Sequence, residues 1–300
     1  MHGLTDYITE CAWEDIFTVW FVLVDDSFQA LYGQARLRFS GPAPRLSDSE
    51  VITLSLICDT YFQGHEELGL AFVRQHYLAL FPQLLSNSRF NRRRRALSAR
   101  IEGIRRALSE QWMDPEDDLR LIDSAPIPAC TYGRSSACAT VQGHEYCGYM
   151  PSRKAKFFGW HLELTTTWDQ VIDQWMLAPA GPHDSKMGEV LLSEAANLWV
   201  LGDTAFRSPP VEQRLQTRRG IRLLAPPQRT VTRPWPRELE QLARRMRRRI
   251  ESALGVLATV FKIELPGSRS LSGLVVRMAT RMLAYTLSFF ASAILQPNKN

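Results

Sequence analysis

The chain has 300 residues, 45% of them hydrophobic and 22% charged, which excludes a disordered polymer and gives enough material for one large domain or two smaller ones. The net charge of +5 is modest, but the cations are lopsided: 31 Arg against 5 Lys. Arginine makes planar, bidentate contacts to phosphate, so a nucleic-acid partner fits; codon bias in a GC-rich genome gives the same ratio but does not cluster the arginines. Five cysteines, an odd number, with no basic-then-apolar leader at the start, point away from a secreted disulfide scaffold and toward reduced thiols in a cytoplasm.

In chain order, "FTVWFVLV" (17–24) is too short to span a membrane and stops at Asp25 and Asp26. "LSDSEVITLSLICDTYF" (46–62) reads as a helix with its N-cap at Ser47 or Ser49. "EELGLAFVRQHYLALF" (66–81) continues with helical spacing, and "SRFNRRRRALSARIEGIRRALSEQW" (88–112) carries Ile101, Ile104 and Leu108 as a stripe. Residues 1–115 are therefore expected to form a small all-helical domain bearing a basic run, Arg92, Arg93, Arg94 and Arg95.

The period changes near residue 115, and residues 116–300 are expected to form a second domain. "DLRLIDSAPIPAC" (118–130) reads as a short buried strand that ends in Asp123. "FFGWHLELTTTW" (157–168) and "VIDQWMLAPAG" (171–181) read as two strands about a turn at Asp169 and Gln170. A helix follows at 185–197. Next come a strand in "LWVLGDTAF" (198–206) that again ends in an acid, Asp203, and another in "GIRLLAPP" (220–227). A long helix is expected at 236–263, opened by Pro236, and "MLAYTLSFFASAIL" (282–295) reads as a buried helix. This order gives an α/β layer, a mixed sheet with helices packed on it.

Ligands of α/β sheets sit outside strand carboxyl ends, so Asp123 and Asp203 can share one site. On the long helix the apolar stripe is Leu239, Leu242, Met246, Ile250, Ala253, Leu257 and Phe261. Glu251 falls at its edge among Arg244, Arg247 and Arg248. Two Asp and one Glu suit Mg²⁺, and such a set suits phosphoryl transfer. Taken singly, an Asp after a strand is as readily a turn or a helix cap, and Arg247 with Glu251 is an ordinary i,i+4 surface pair.

The segments "LIDSAPIPAC", "GYMPSRKAKFFGWHLEL", "LAPAGPHD", "VLGDTAF" and "RRRIESALGVL" together resemble a DDE transposase, most similar to the IS982 insertion-sequence family. "LSDSEVITLSLI" and "FPQLLSNSRFNRRRRAL" resemble that family's leader region. The resemblance covers roughly residues 45–290. It implies a ribonuclease-H-like sheet preceded by a helical domain that binds DNA ends, and Asp123, Asp203 and Glu251 as a catalytic, metal-holding triad for Mg²⁺, with Mn²⁺ as a substitute. Its implied partner is double-stranded DNA, both terminal inverted repeats and target. A homodimer on that DNA, a bacterial cytoplasmic location and no membrane are also implied. Related transposases carry Tyr, Arg, Glu and Lys around the third acid. Here Arg247 fits, Arg244 stands in the Tyr place, Ala258 in the Lys place, and Lys262 lies a turn further on. An inactive DNA-binding remnant and a nuclease on the same core are the alternatives.

Weaker signals remain. Cys130, Cys138, His144 and Cys147 have a spacing loosely like zinc ligands, with ordinary free thiols as the alternative. His161 reads as a hydrogen-bonded sheet histidine. His183 or Asp184 in "PHD" lies at the acids' end of the sheet, with a helix N-cap by Asp184 as the alternative. "SRKAK" (152–156) offers Lys154 and Lys156 to a DNA backbone or to solvent.

Overall fold

A computed structural model describes residues 12–33, 44–150, 153–227 and 235–295; Ser152 of the basic loop lies outside the described residues. The chain opens with helices α1 (Trp13–Tyr32), α2 (Asp48–Tyr61), α3 (Glu66–His76), α4 (Asn87–Ala96) and α5 (Ser98–Trp112). Strands β1 (Leu119–Thr131), β2 (Cys147–Met150), β3 (Ala155–Thr166) and β4 (Ile172–Pro179) follow. Then come α6 (Asp184–Leu191), β5 (Trp199–Leu201), α7 (Pro209–Arg219), β6 (Arg222–Leu224), α8 (Arg237–Thr259) and α9 (Leu271–Leu295).

These elements fall into two compact units, Met1–Gln111 with Leu271–Asn300, and Trp112–Ser270. The division differs from a single cut near residue 115, because α9 groups with the N-terminal helices. Its Leu274, Met278, Met282, Leu283 and Leu287 are fully buried, and it packs on α2. By length and composition Leu271–Ile294 could cross a membrane, but 78% of that stretch is buried inside the protein.

In the helical unit α2 is the central element. Ser47 caps it through a capping box with Glu50, which decides between the two expected caps. Nearly every residue from Ser49 to Thr60 is buried, including Asp59. A buried carboxylate needs a partner, and α4 supplies Arg94. Phe90, Arg94, Leu97, Ile101 and Ile104 follow helical spacing, so Arg94 occupies a core position of that stripe. The expected helix at 88–112 is two helices, joined at Leu97, whose N–H is shared between the Arg93 and Arg94 carbonyls. The helix expected to reach residue 81 stops at His76, short of the Phe81-Pro82 step that disfavours helical backbone.

The second unit is built on one six-stranded sheet. β3 is antiparallel to β1 along one edge and to β2 and then β4 along the other. β5 is parallel to β1, and β6 parallel to β5. The result is the expected α/β arrangement, a mixed sheet flanked by helices and preceded by a helical region. β2 is a strand the sequence pattern does not announce. β1 is also longer than expected: it runs through Asp123 to Thr131. Only Leu119–Leu121 pair with β5, whereas pairing with β3 continues to Thr131. Pro126 and Pro128 are tolerated because they lie beyond the end of β5, on a free edge.

Candidate active site

Asp123 sits where β5 stops accompanying β1. Neighbouring residues on a strand face opposite sides of the sheet. Ile122 enters a core with Leu191, Phe206, Leu215 and Leu223 on the α6 and α7 side. Asp123 therefore faces the other way, toward α8, which packs on β1. Its Oδ1 accepts the Ser124 N–H at 2.8 Å. Burial, then the charges of Asp203 and Glu251, push its carboxyl up to about 7, against a lowering by the Ser124 N–H and Arg247.

Asp203 follows β5 through Gly202. A side chain at Gly202 would meet the Ile122 Cγ2 at 2.9 Å and the Phe206 Cβ at 3.0 Å, so the glycine lets the strand end approach β1. Asp203 does cap the short turn Thr204–Phe206, with Oδ1 accepting from Ala205 N–H at 2.8 Å. The cap and a role in the site are compatible, because a carboxylate has a second oxygen.

Glu251 lies on α8, half-exposed, and accepts from Arg247 Nε at 2.7 Å. Arg247 is held above its ordinary pKa first by that bond and further by Asp203 and Asp123. So Asp123 feels the charges of Asp203, Glu251 and Arg247, and Arg247 feels those of all three acids. Met246, Ile250, Ala253 and Leu257 are buried as the stripe requires. Leu239 and Leu242 are exposed, so the first turns of the helix depart from it.

Arg244, Arg247 and Arg248 are exposed with Glu251 along a shallow concavity. Arg249 stacks on Trp168, 5.2 Å from the ring centroid. Arg245 and Arg248 line both the shallow concavity and a second one beside Trp168, so Arg245 does not point away from the Glu251 surface as the helical wheel would have it.

The basic run of α4 is corrected by the structure. Arg94 is 1% exposed, paired with Asp59 and with Glu66 at 2.7 Å, and cannot reach a phosphate. Arg93 pairs with Asp48 and the Leu46 carbonyl. Arg92 and Arg95 are exposed. Lys154 and Lys156 are exposed as well, Lys156 lying over the Tyr132 ring at 5.4 Å.

Among the described residues, one set of three metal-type donors has its ligand atoms all within 4.8 Å: His161, Glu163 and Asp184. The expected triad is not such a set, and neither are Cys130, Cys138, His144 and Cys147; the three cysteines are free thiols, and Cys130 and Cys138 share a thiol hydrogen bond. The cap of α6 is His183, not Asp184; its Nδ1 accepts from Ser185 N–H. Asp184 lies instead beside His161, its Oδ1 3.5 Å from an Nδ1 that makes no hydrogen bond among the described residues, so that nitrogen is not satisfied as expected. Sequence reasoning missed Glu163. Its signal was an acid inside a strand of otherwise apolar and Thr residues, where carboxylates are depleted. Burial, then Asp184, Asp123 and Asp203, push its carboxyl up to about 9.

Comparison with known families decides the kinship. The profile described as Transposase DDE domain matches residues 114–287, more than half of the chain. The chain belongs to the DDE transposase family. This transposase aligns with a solved piggyBac transposase in a synaptic complex with hairpin DNA, at 10% identity and a TM-score of 0.40, over 91% of this chain and 74% of that one. No match is found among curated proteins.

Proposed function

We propose that this transposase is of the IS982 kind and catalyses Mg²⁺-dependent strand cleavage and strand transfer at the terminal inverted repeats of an insertion sequence. It would act as a homodimer on DNA in the bacterial cytoplasm. The observation that supports the reading is that Asp123 stands close enough to Asp203, Glu251 and Arg247 to feel their charges, with its carboxyl pushed up to about 7. The donor set fits a divalent cation: three carboxylates, two of them part-buried, leave an excess of negative charge that an oxygen-seeking ion offsets. When bound, Mg²⁺, or Mn²⁺ in its place, would supply Lewis-acid stabilisation of the phosphoryl oxygens.

The protein's own part is to position. Asp123 and Asp203 are held by strand ends and backbone N–H groups, so their direction is fixed before DNA arrives. Arg244, Arg247 and Arg248 offer charge to the DNA backbone beside them, and Lys154, Lys156, Arg92 and Arg95 offer it elsewhere. Arg247 now shields Glu251, and a phosphate is the natural competitor for that guanidinium.

A specific observation favours the inactive remnant as second reading. Glu251 is tied to Arg247, and Ala258 stands where related transposases carry Lys. Labelled duplexes bearing the element's ends, incubated with Mg²⁺, separate the readings. Nicking followed by joining to target DNA supports a transposase, nicking alone a nuclease, and binding alone a remnant. Ca²⁺, which accepts looser coordination, should support binding but no cutting.

The arginine surface gives its own prediction. Arg248→Ala should flatten the log–log salt dependence of DNA binding by about one unit, the loss of one phosphate contact. Arg249→Ala should change it less, since that guanidinium is already seated on Trp168. A filter-binding salt series measures both slopes, and equal slopes would mean that the wrong face of α8 was assigned to DNA.

A further inference from the structure

A second cluster of metal-type donors lies on the sheet face opposite Asp123. His161 and Glu163 alternate on β3, so they share a face. In the register Glu163 lies across from Ser124 and His161 across from Pro126, whereas Asp123 lies across from Leu164. Ser124 and Glu163 therefore face α6 while Asp123 faces α8. From α6 comes Asp184: its Oδ2 accepts from the Ser124 hydroxyl at 3.3 Å, and its Oδ1 is 3.5 Å from His161 Nδ1. The ligand atoms of His161, Glu163 and Asp184 all lie within 4.8 Å of one another.

The second observation concerns Glu163 itself. Its side chain has no solvent exposure, and neither carboxylate oxygen has a hydrogen-bond partner among the described residues. His161 Nδ1 also lacks one. A buried acceptor left unpaired is costly, and a charged one more so. Nothing in this cluster carries a fixed positive charge. Glu163 is thus a fully buried, unpaired carboxyl set beside Asp184 and an imidazole.

The geometry points to a structural or regulatory site for a transition-metal dication, held by His161, Glu163 and Asp184, separate from the triad. One imidazole nitrogen with two carboxylates suits Zn²⁺ or Mn²⁺. Mg²⁺ and Ca²⁺ prefer all-oxygen shells, so the imidazole selects against them. A metal here would tie β3 to the start of α6 and bring positive charge behind Ser124, the residue after Asp123. The inference does not depend on the triad holding a metal.

The test uses the full chain with the triad disabled by Asp203→Asn and Glu251→Gln, so that the triad holds no ion of its own and the cluster variants below separate this site from the free thiols. After chelation and dialysis against Zn²⁺, elemental analysis should give one Zn²⁺ per chain. Adding Glu163→Gln should weaken binding at least about tenfold. That variant keeps the shape and removes the group that can ionise on binding a metal, so it should fold, as circular dichroism would check. Asp184→Asn is the second variant, expected to weaken binding likewise. With Co²⁺ as probe, visible absorption should appear and change when His161→Asn is introduced. No bound Zn²⁺ in the triad-disabled chain overturns the proposal, and Glu163 is then neutralised by a proton. Equal Zn²⁺ affinity with and without Glu163→Gln overturns it too. Strand cleavage by the otherwise wild-type chain, assayed separately, reports on the triad and is unaffected by either outcome.

Discussion

Asp123→Asn is expected to stabilise the metal-free protein at pH 8 while it abolishes DNA cleavage. The carboxyl of Asp123 is raised from an ordinary value of 3.8 to about 7 in the folded chain. A raised acid binds its proton more tightly when folded, so it takes stability away as pH climbs. The cost begins above pH 4, grows to about pH 7 and is then constant. Three units correspond to about 4 kcal/mol at most. Asn carries no charge to bury, so this component disappears and the variant should gain stability relative to wild type between pH 4 and 8. Below pH 4 the two should converge. Added Mg²⁺ should reverse the order, because an ion bound only by the folded state stabilises it, by about 2.7 kcal/mol at a hundred times its dissociation constant. Urea melts at pH 4 and pH 8, with and without Mg²⁺, measure all four values. A variant less stable than wild type at pH 8 without metal would contradict the burial of an uncompensated charge.

The second large effect concerns α4. Arg94→Ala should cost the helical unit about 3–5 kcal/mol, the usual result of removing one partner of a buried ion pair. The guanidinium bridges Asp59 and Glu66 and donates to the Thr280 hydroxyl of α9 at 3.3 Å. Its loss leaves the fully buried Asp59 without its closest cation. Arg95→Ala, one residue on, should stay within about 0.5 kcal/mol in stability. It should instead weaken DNA binding, as should Arg92→Ala, since both side chains are exposed. Thermal melts and filter binding on the same samples separate the two kinds of arginine. A stable Arg94→Ala protein with weakened DNA binding would reverse the assignment. The same packing warns against testing the N-terminal helices by cutting the chain near residue 115, since α9 would lose the core it is buried in.

The sheet's strands were legible because their side chains alternate or run apolar, and α8 because its stripe holds over four turns. The basic run was legible as a run but not as a pattern. Arg94 reads as surface by chemistry and as core by spacing, and the spacing was right because Asp59 waits for it. Asp123 was legible as an acid on a strand, but the strand was ended there too early. Its antiparallel neighbour continues where its parallel neighbour stops, and that asymmetry belongs to the sheet rather than to β1. Glu163 and Asp184 are twenty-one positions apart in the chain, and only the β4 connection brings them together. No local pattern encodes that meeting. β2 escaped because four residues, one of them a glycine, are too few to show a period.

The central claim is that Asp123, Asp203 and Glu251 act together on DNA. Its most direct measurement is a Mg²⁺-dependent nicking and joining assay on labelled element ends, run in parallel for wild type, Asp123→Asn, Asp203→Asn and Glu251→Gln. The account predicts that wild type nicks and joins. Each variant should bind the ends as tightly or more tightly and cut them at least about a thousandfold more slowly, the loss of about 4 kcal/mol of transition-state stabilisation. Cleavage by Glu251→Gln at the wild-type rate would contradict it, because the half-exposed acid beside Arg247 would then be an ordinary surface pair.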